Sequence, residues 1–370
     1  MAATAGSHPL RRRDVVHLAD IKPRSNARVA WERIRHRQAH WFVEMFAEFV
    51  SALFLSIPRL RLAARRLTFP DIKLGVFIYI YAGVGSAAGF YLGNVEGVST
   101  LSSVFQVGCA YAYGILLALI VCGPTSGGHL NPAFTICMVI FRGFSPLRAL
   151  RYIVAQIMGS YVACLIVYVQ YGQLIKESMD TLAAAGKLEA VMFTPSGPAG
   201  IFAPYVAPGS NLGRVFLNEF VCVFLIALVV WACIDPTNFG SSPIVTPWII
   251  GFTYAVIVWG FVNVGVSTNT ARDVGARLMV LTIWGLPAGG GKYAAISALA
   301  NIPATILGVC VQEYLLSDSS RVIAPAHAAV INAHLAHEEH SQGKVVDQSP
   351  GSGSSYHDSE KGHHETVERV

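Results

Sequence analysis

Few residues of this chain have hydrogen-bonding chemistry to offer, and most fall in two related phrases. GGHLNPAFT occupies 127–135 and GVSTNTARD occupies 265–273. The first places His129 ahead of Asn131, Pro132 and Ala133. The second places Asn269, Thr270 and Ala271 ahead of Arg272 and Asp273. An asparagine amide supplies two donors and an acceptor, and an arginine supplies a rigid fork of donors. Such groups hold and orient a ligand by hydrogen bonding. No His/Asp/Ser or metal-ligand constellation lies at membrane depth, so the chain does not read as an enzyme, and no cofactor or metal is expected. Arg272 calls for a reason: it sits almost against an apolar run, and a charge at membrane depth costs about 2.5 kcal/mol or more.

The elements that must position these residues are membrane spans. Of 370 residues, 53% are hydrophobic and only 13% charged, with a mean hydropathy of +0.49. A soluble domain carries nearer a quarter charged residues. A spanning helix needs about 20 apolar residues, and six stretches qualify: 74–92, 104–122, 149–170, 214–234, 244–265 and 294–316. Two shorter apolar stretches begin at Asn131 and Asn269. Segments too short to cross suit half-helices that enter and turn back, tolerated where protein or water surrounds them. The seven cysteines lie in or beside apolar segments without CxxC spacing and read as buried hydrophobes.

Outside the spans the chain is polar. Residues 1–40 hold nine Lys/Arg and no apolar signal-peptide core, so the segment reads as a cytosolic tail by the positive-inside bias. The net charge of +5 is explained by this tail and is not a nucleic-acid signal. Residues 171–213, rich in Gly, Pro and aromatics, read as a long loop, and 317–370 as a disordered cytosolic tail. Metal binding by its scattered histidines is not favoured.

The two phrases belong to a duplication. Each follows a full span, and upstream of each stands a Glu-Phe pair, at Glu48 and at Glu219. Three spans and one half-helix per copy make the second copy insert inverted, the architecture of many channels and transporters. The copies differ in one respect: Glu219 precedes Asn269 by 50 residues, whereas Glu48 precedes Asn131 by 83. Removing residues 50–73 joins Phe49 to Leu74 in one continuous apolar run. The segment carries Arg59, Arg61, Arg65, Arg66 and Lys73. It has 24 codons, in frame, with ends compatible with a translated intron; a genuine cytosolic insertion is the alternative. Counting 41–57 as a seventh span would separate two basic blocks by one crossing, against the charge bias. Its aromatic face and opposing Glu44 and Glu48 suit the membrane interface instead. Leu74–Gly93 is expected to span alone.

Asn131-Pro132-Ala133 after SGGHL, paired with Asn269-Thr270-Ala271-Arg272-Asp273, resembles the signature loops of the aquaporin or major intrinsic protein family, in a fungal-type, aquaglyceroporin-like branch. The resemblance covers about 41–316, apart from the insert. It implies an all-α membrane protein of six spans and two re-entrant half-helices. The implied activity is a passive channel for water and small neutral solutes such as glycerol that excludes ions and protons. It implies further a homotetramer in the lipid bilayer, in the plasma membrane, with both termini cytosolic. By the same resemblance Arg272 faces the pore at its constriction, and Glu48 and Glu219 hydrogen-bond the loops that carry the half-helices. His129 is the loop histidine, and Asp273 marks the glycerol-conducting branch. The other constriction positions, placed by spacing from the asparagines, are Tyr111, Ile257 and Val266, with Tyr113 a rival to Tyr111. Ile257 argues against strict water selectivity. Thr270 stands where the family has proline and is expected to leave the half-helix intact but its start looser.

Other classes fit less well. A secondary transporter would place coupling charges in its spans, and these spans carry almost none beyond the two glutamates. A heptahelical receptor would not carry duplicated half-helices. A channel fold whose conduction is impaired by 50–73 remains open on sequence alone.

Overall fold

The computed structural model describes residues 74–98, 102–318 and 320–341. Glu48, the basic tail and the insert 50–73 lie outside them. The described residues up to Val330 belong to one compact unit, and Ile331–Ser341 to a second.

Every described element is helical. In the first copy, α1 is Leu74–Glu96, α2 is Val104–Ser126, α3 is the short Pro132–Arg142 and α4 is Pro146–Ala184. In the second, α5 is Leu212–Ile234, α6 is Thr246–Phe261 and α7 is the short Thr270–Trp284. The last span comprises α8, Gly291–Leu299, and α9, Asn301–Val311, and ends in a widened turn at Gln312–Leu316. Among the described residues six segments are long and apolar enough to cross a bilayer, and they overlap the six read from sequence. At 1.5 Å per residue the 11 residues of α3 and 15 of α7 reach about 16 and 22 Å, short of a core about 30 Å thick.

The packing repeats between copies. α1 packs on α2 and α4, as α5 packs on α6 and α9. Each half-helix leans on the third span of the opposite copy, α7 on α4 and α3 on α9, and α2 meets α6 across the centre. At Gly275 of α7, an added Cβ would strike the Ile157 carbonyl and Ser160 on α4, so glycine permits this close approach. Leu117, Ile120 and Val256 stay exposed on the outer faces, as expected where the solvent is lipid and burial need not hide apolar surface.

Two expectations need correction. Residues 171–213 are not all loop: α4 is 39 residues long, about 58 Å at helical rise, and continues to Ala184. The extension is fastened where the Tyr91 hydroxyl meets Ser178 Oγ over 3.0 Å, both side chains buried. In the tail read as disordered, Pro325–Ser341 forms a further helix, α10. Its start is held to the α5–α6 loop by Ala324 N–H donating to Pro236 O over 2.8 Å and by His327 Nε2 lying 3.3 Å from Ser241 O.

Candidate functional site

The two half-helices begin alike. Asn131 and Asn269 are their N-caps, both in extended conformation, with side-chain oxygens accepting from Ala133 N–H and from Ala271 and Arg272 N–H. These contacts satisfy backbone donors that every helix start leaves unpaired. The residue before each cap has a positive φ, 50° at Leu130 and 60° at Thr268, uncommon for non-glycine residues. In each copy it turns a carbonyl toward the other. Asn269 Nδ2 donates to Leu130 O over 2.8 Å, and Asn131 Nδ2 donates to Thr268 O over 3.2 Å. The two N-termini are thus joined by a reciprocal pair of hydrogen bonds. The Asn131 side chain also bonds Tyr254, and the partial positive ends of two helices face one another.

The loop ahead of α7 hangs on Glu219 of α5. Its fully buried carboxylate accepts from Ser267 N–H and Thr268 N–H, each over 2.7 Å. A carboxylate that accepts two backbone donors fixes the turn containing the strained Thr268. Thr270 does not leave α7 loose. Its hydroxyl donates to Ala298 O over 2.9 Å, so a side-chain tether to α8 replaces the rigidity a proline would bring. In the first copy, Thr135 Oγ1 lies 3.3 Å from His129 Nδ1 and accepts from Gln156 Nε2 at 3.1 Å. His129 also packs against Phe144 and Tyr152 and braces its loop.

A cavity of about 610 Å³ opens on the α7 side of the half-helix junction and is lined by Tyr111, Val266, Thr268 and Arg272 among others. Arg272 Nη2 donates to the Tyr111 hydroxyl over 3.2 Å. Ser160 Oγ on α4 donates to the Arg272 carbonyl over 3.2 Å. Arg272 therefore faces a cavity and the hydroxyl of Tyr111, where a charge at that depth is tolerated. Tyr113 is exposed and packs edge-on against Trp248 and Phe252, and it is Tyr111 that lines the cavity.

Ile257 is 3% exposed and packs in the hydrophobic core, outside the cavity lining. From α6 the cavity is lined instead by Tyr254 and Val258, one turn apart. The intervening 262–268 segment is irregular, so the face that α6 turns to the cavity is not set by counting from Asn269. Asn131 and Asn269 are 1% and 2% exposed and lie outside the cavity lining.

Asp273 does not touch the cavity. It is fully buried and pairs with Arg277 one turn on, an ion pair closed by two hydrogen bonds. Arg277 also donates to Pro204 O over 3.0 Å and to Gly289 O over 3.3 Å, and its guanidinium lies over Tyr205. The Tyr205 hydroxyl in turn donates to Ala288 O over 2.7 Å. Asp273 thus holds an arginine that ties the long loop to α7. Sequence reading passed over Arg277, although its i, i+4 spacing from Asp273 was a usable signal.

An inverted pair of half-helices meeting at capped asparagines, beside a cavity with a fixed arginine, defines a membrane pore protein. A family model for the major intrinsic proteins matches residues 72–286, and the chain belongs to that family. The match begins at the end of the 50–73 segment, so 41–49 lies outside it. Aquaporin-3 of Laccaria bicolor is 50% identical over 330 residues, spanning 89% of this chain and 93% of its own. Aquaglyceroporin-2 of Rhizophagus irregularis is 34% identical over 216 residues, 57% of this chain and 63% of its own. The X-ray structure of the aquaglyceroporin from Plasmodium falciparum aligns with a TM-score of 0.55 at 20% identity, covering 66% of this chain and 93% of that one, a likeness of fold.

Proposed function

We propose that this chain is a passive channel for water and small neutral solutes, glycerol among them, which excludes ions and protons. The observation that carries the reading is the junction of two half-helix N-termini at Asn131 and Asn269, with Arg272 and Tyr111 beside it on the cavity. Paired helix N-termini and a fixed guanidinium raise the potential where the path is narrowest, which opposes cations and hydronium. Diameter, lining groups and such a barrier are the recognised basis of selectivity in pores of this kind. In this reading Asn131 and Asn269 offer amide donors to a passing oxygen, and Arg272, Tyr111 and Val266 line the constriction. Relatives named aquaporin and aquaglyceroporin support a water and solute path. A homotetramer in the plasma membrane, with both termini cytosolic, belongs to the same proposal.

The test is stopped-flow light scattering of proteoliposomes made with the full chain, residues 50–73 included. Osmotic and glycerol-driven volume changes well above those of empty vesicles are expected. Folded protein that adds nothing to either rate would overturn the reading.

A further inference from the structure

The constriction residues named so far come from α2, α7 and the loop before α7. One side of the same cavity is built by α1, which carries no signature motif. Tyr79 lines the cavity, is 3% exposed, and its hydroxyl has no hydrogen-bond partner among the described residues. Arg272 Nη1 is likewise buried and unpartnered. The Tyr79 ring is 6.2 Å from that of Tyr111, tilted by 54°, and Tyr254 and Arg272 line the same cavity.

An unpartnered buried hydroxyl costs about 1–3 kcal/mol. Phenylalanine would fill the same space in an apolar wall without that cost. The hydroxyl is accounted for if its partner arrives with the permeant. Tyrosine both donates and accepts, whereas Arg272 only donates, so the two together match the dual character of an alcohol group.

One turn after Tyr79 on α1 stands Gly83. A Cβ there would fall inside the ring of Tyr111. Any side chain at 83 must therefore push Tyr111 away from α1 and disturb its contact with Arg272. Gly83 is open to this role only because it is glycine, and its helical conformation gives no other reason for one at this position.

We propose that Tyr79 is a specificity-determining residue of the channel. With Tyr111, Tyr254 and Arg272 it forms a hydroxyl-bearing constriction that favours polyols, and Gly83 sets its width by seating the Tyr111 ring. This rests on the channel reading above. Tyr79 hydrogen-bonds the hydroxyls of the permeant directly; Gly83 is a positioning residue that acts through Tyr111.

The experiment measures glycerol and water permeability of the same proteoliposomes for the wild-type chain, Tyr79→Phe, Gly83→Ala, Tyr111→Ala and the Gly83→Ala/Tyr111→Ala pair. Size-exclusion profiles establish that each is folded. Losing one hydrogen bond at the constriction lowers the glycerol-to-water ratio of Tyr79→Phe by roughly threefold to tenfold. Gly83→Ala alone shifts the ratio, and on a Tyr111→Ala background it adds nothing, because the ring it displaces is gone. An unchanged ratio in Tyr79→Phe overturns the role of Tyr79. Equal effects of Gly83→Ala with and without the Tyr111 ring overturn the role of Gly83. A wild-type chain that passes water but not glycerol overturns this inference and leaves a channel; one that passes neither overturns both readings.

Discussion

Arg272 donates to the hydroxyl of Tyr111 across 3.2 Å, which joins the start of the second half-helix to the middle of the second span. The bond fixes both orientation and charge of the guanidinium at the cavity. Replacing Arg272 with alanine should remove the barrier to cations while leaving the helices in place. Proton flux into vesicles under an imposed pH gradient, read with an entrapped dye, should rise above wild type, because the fixed positive charge that opposes hydronium is gone. Flux no greater than wild type would remove Arg272 from the barrier.

Glu219 carries the second loop on two backbone hydrogen bonds of 2.7 Å. In Glu219→Gln one of those backbone donors can meet an amide NH2. The loss should be about 1.5–3 kcal/mol, seen as a lower unfolding temperature in detergent and a lower water permeability. Glu219→Ala should be worse, because both backbone donors are left buried. Unaltered thermal stability in both variants would show that the loop is held elsewhere.

Asp273 and Arg277 form a buried pair, so removing one member strands the other. Either Asp273→Ala or Arg277→Ala alone should cost about 3–5 kcal/mol, while the double replacement should cost less than the two singles summed. Thermal unfolding of the four proteins, compared as a cycle, gives the coupling. Simple additivity would mean the pair does not act as a unit.

Thr270→Pro exchanges the tether to Ala298 for a preset helical φ. The two effects oppose each other and are each about 1 kcal/mol, so the unfolding temperature should move by only a few degrees. A collapse in stability would mean that the Thr270 hydroxyl is indispensable to the half-helix.

Asp235 closes the end of α5 outside the span. Burial alone would raise its pKa, but donation from Thr237 and Ser317, together with Arg321, outweighs it and holds the carboxyl below its usual range. A carboxyl depressed in the folded protein stabilises it above the unfolded pKa, near 3.9, and that stability is lost as pH falls through the lower folded value. Hydrogen-exchange protection factors at 236–241 and 320–330, corrected for the intrinsic rate at each pH, should therefore be high at pH 7 and should fall below about pH 4. Asp235→Asn should show the lowered protection already at pH 7. Equal protection of the wild type and Asp235→Asn at pH 7 would show that the carboxylate does not hold this loop.

How much was legible beforehand depends on the range of the interaction involved. The six spans, both half-helix starts and the duplication follow from hydropathy and from repeated phrases, which are local. A charge beside a span marked Arg272 as needing a reason, and the family resemblance, not spacing, pointed it at the pore. The facing of Ile257 was not legible because it depends on an irregular segment, and nothing local marks the side of α1 that carries Tyr79 and Gly83. The length of α4 was hidden by loop-like composition around 194–213 that does not begin until well after Tyr171.

The sequence by itself determined that this chain crosses the membrane six times, that its two halves repeat, and that each half ends a loop with an asparagine-capped half-helix. Those properties depend on apolar run length and on residue types that cap helices, and each acts within a few turns of chain. Only the tertiary structure decided which side chains line the cavity, that Asp273 is consumed by Arg277, and that Asn131 and Asn269 each bond the carbonyl preceding the other. Those contacts join residues 137 and 139 apart. They depend on the rotation of each helix about its own axis, which packing between copies fixes and residue spacing does not encode.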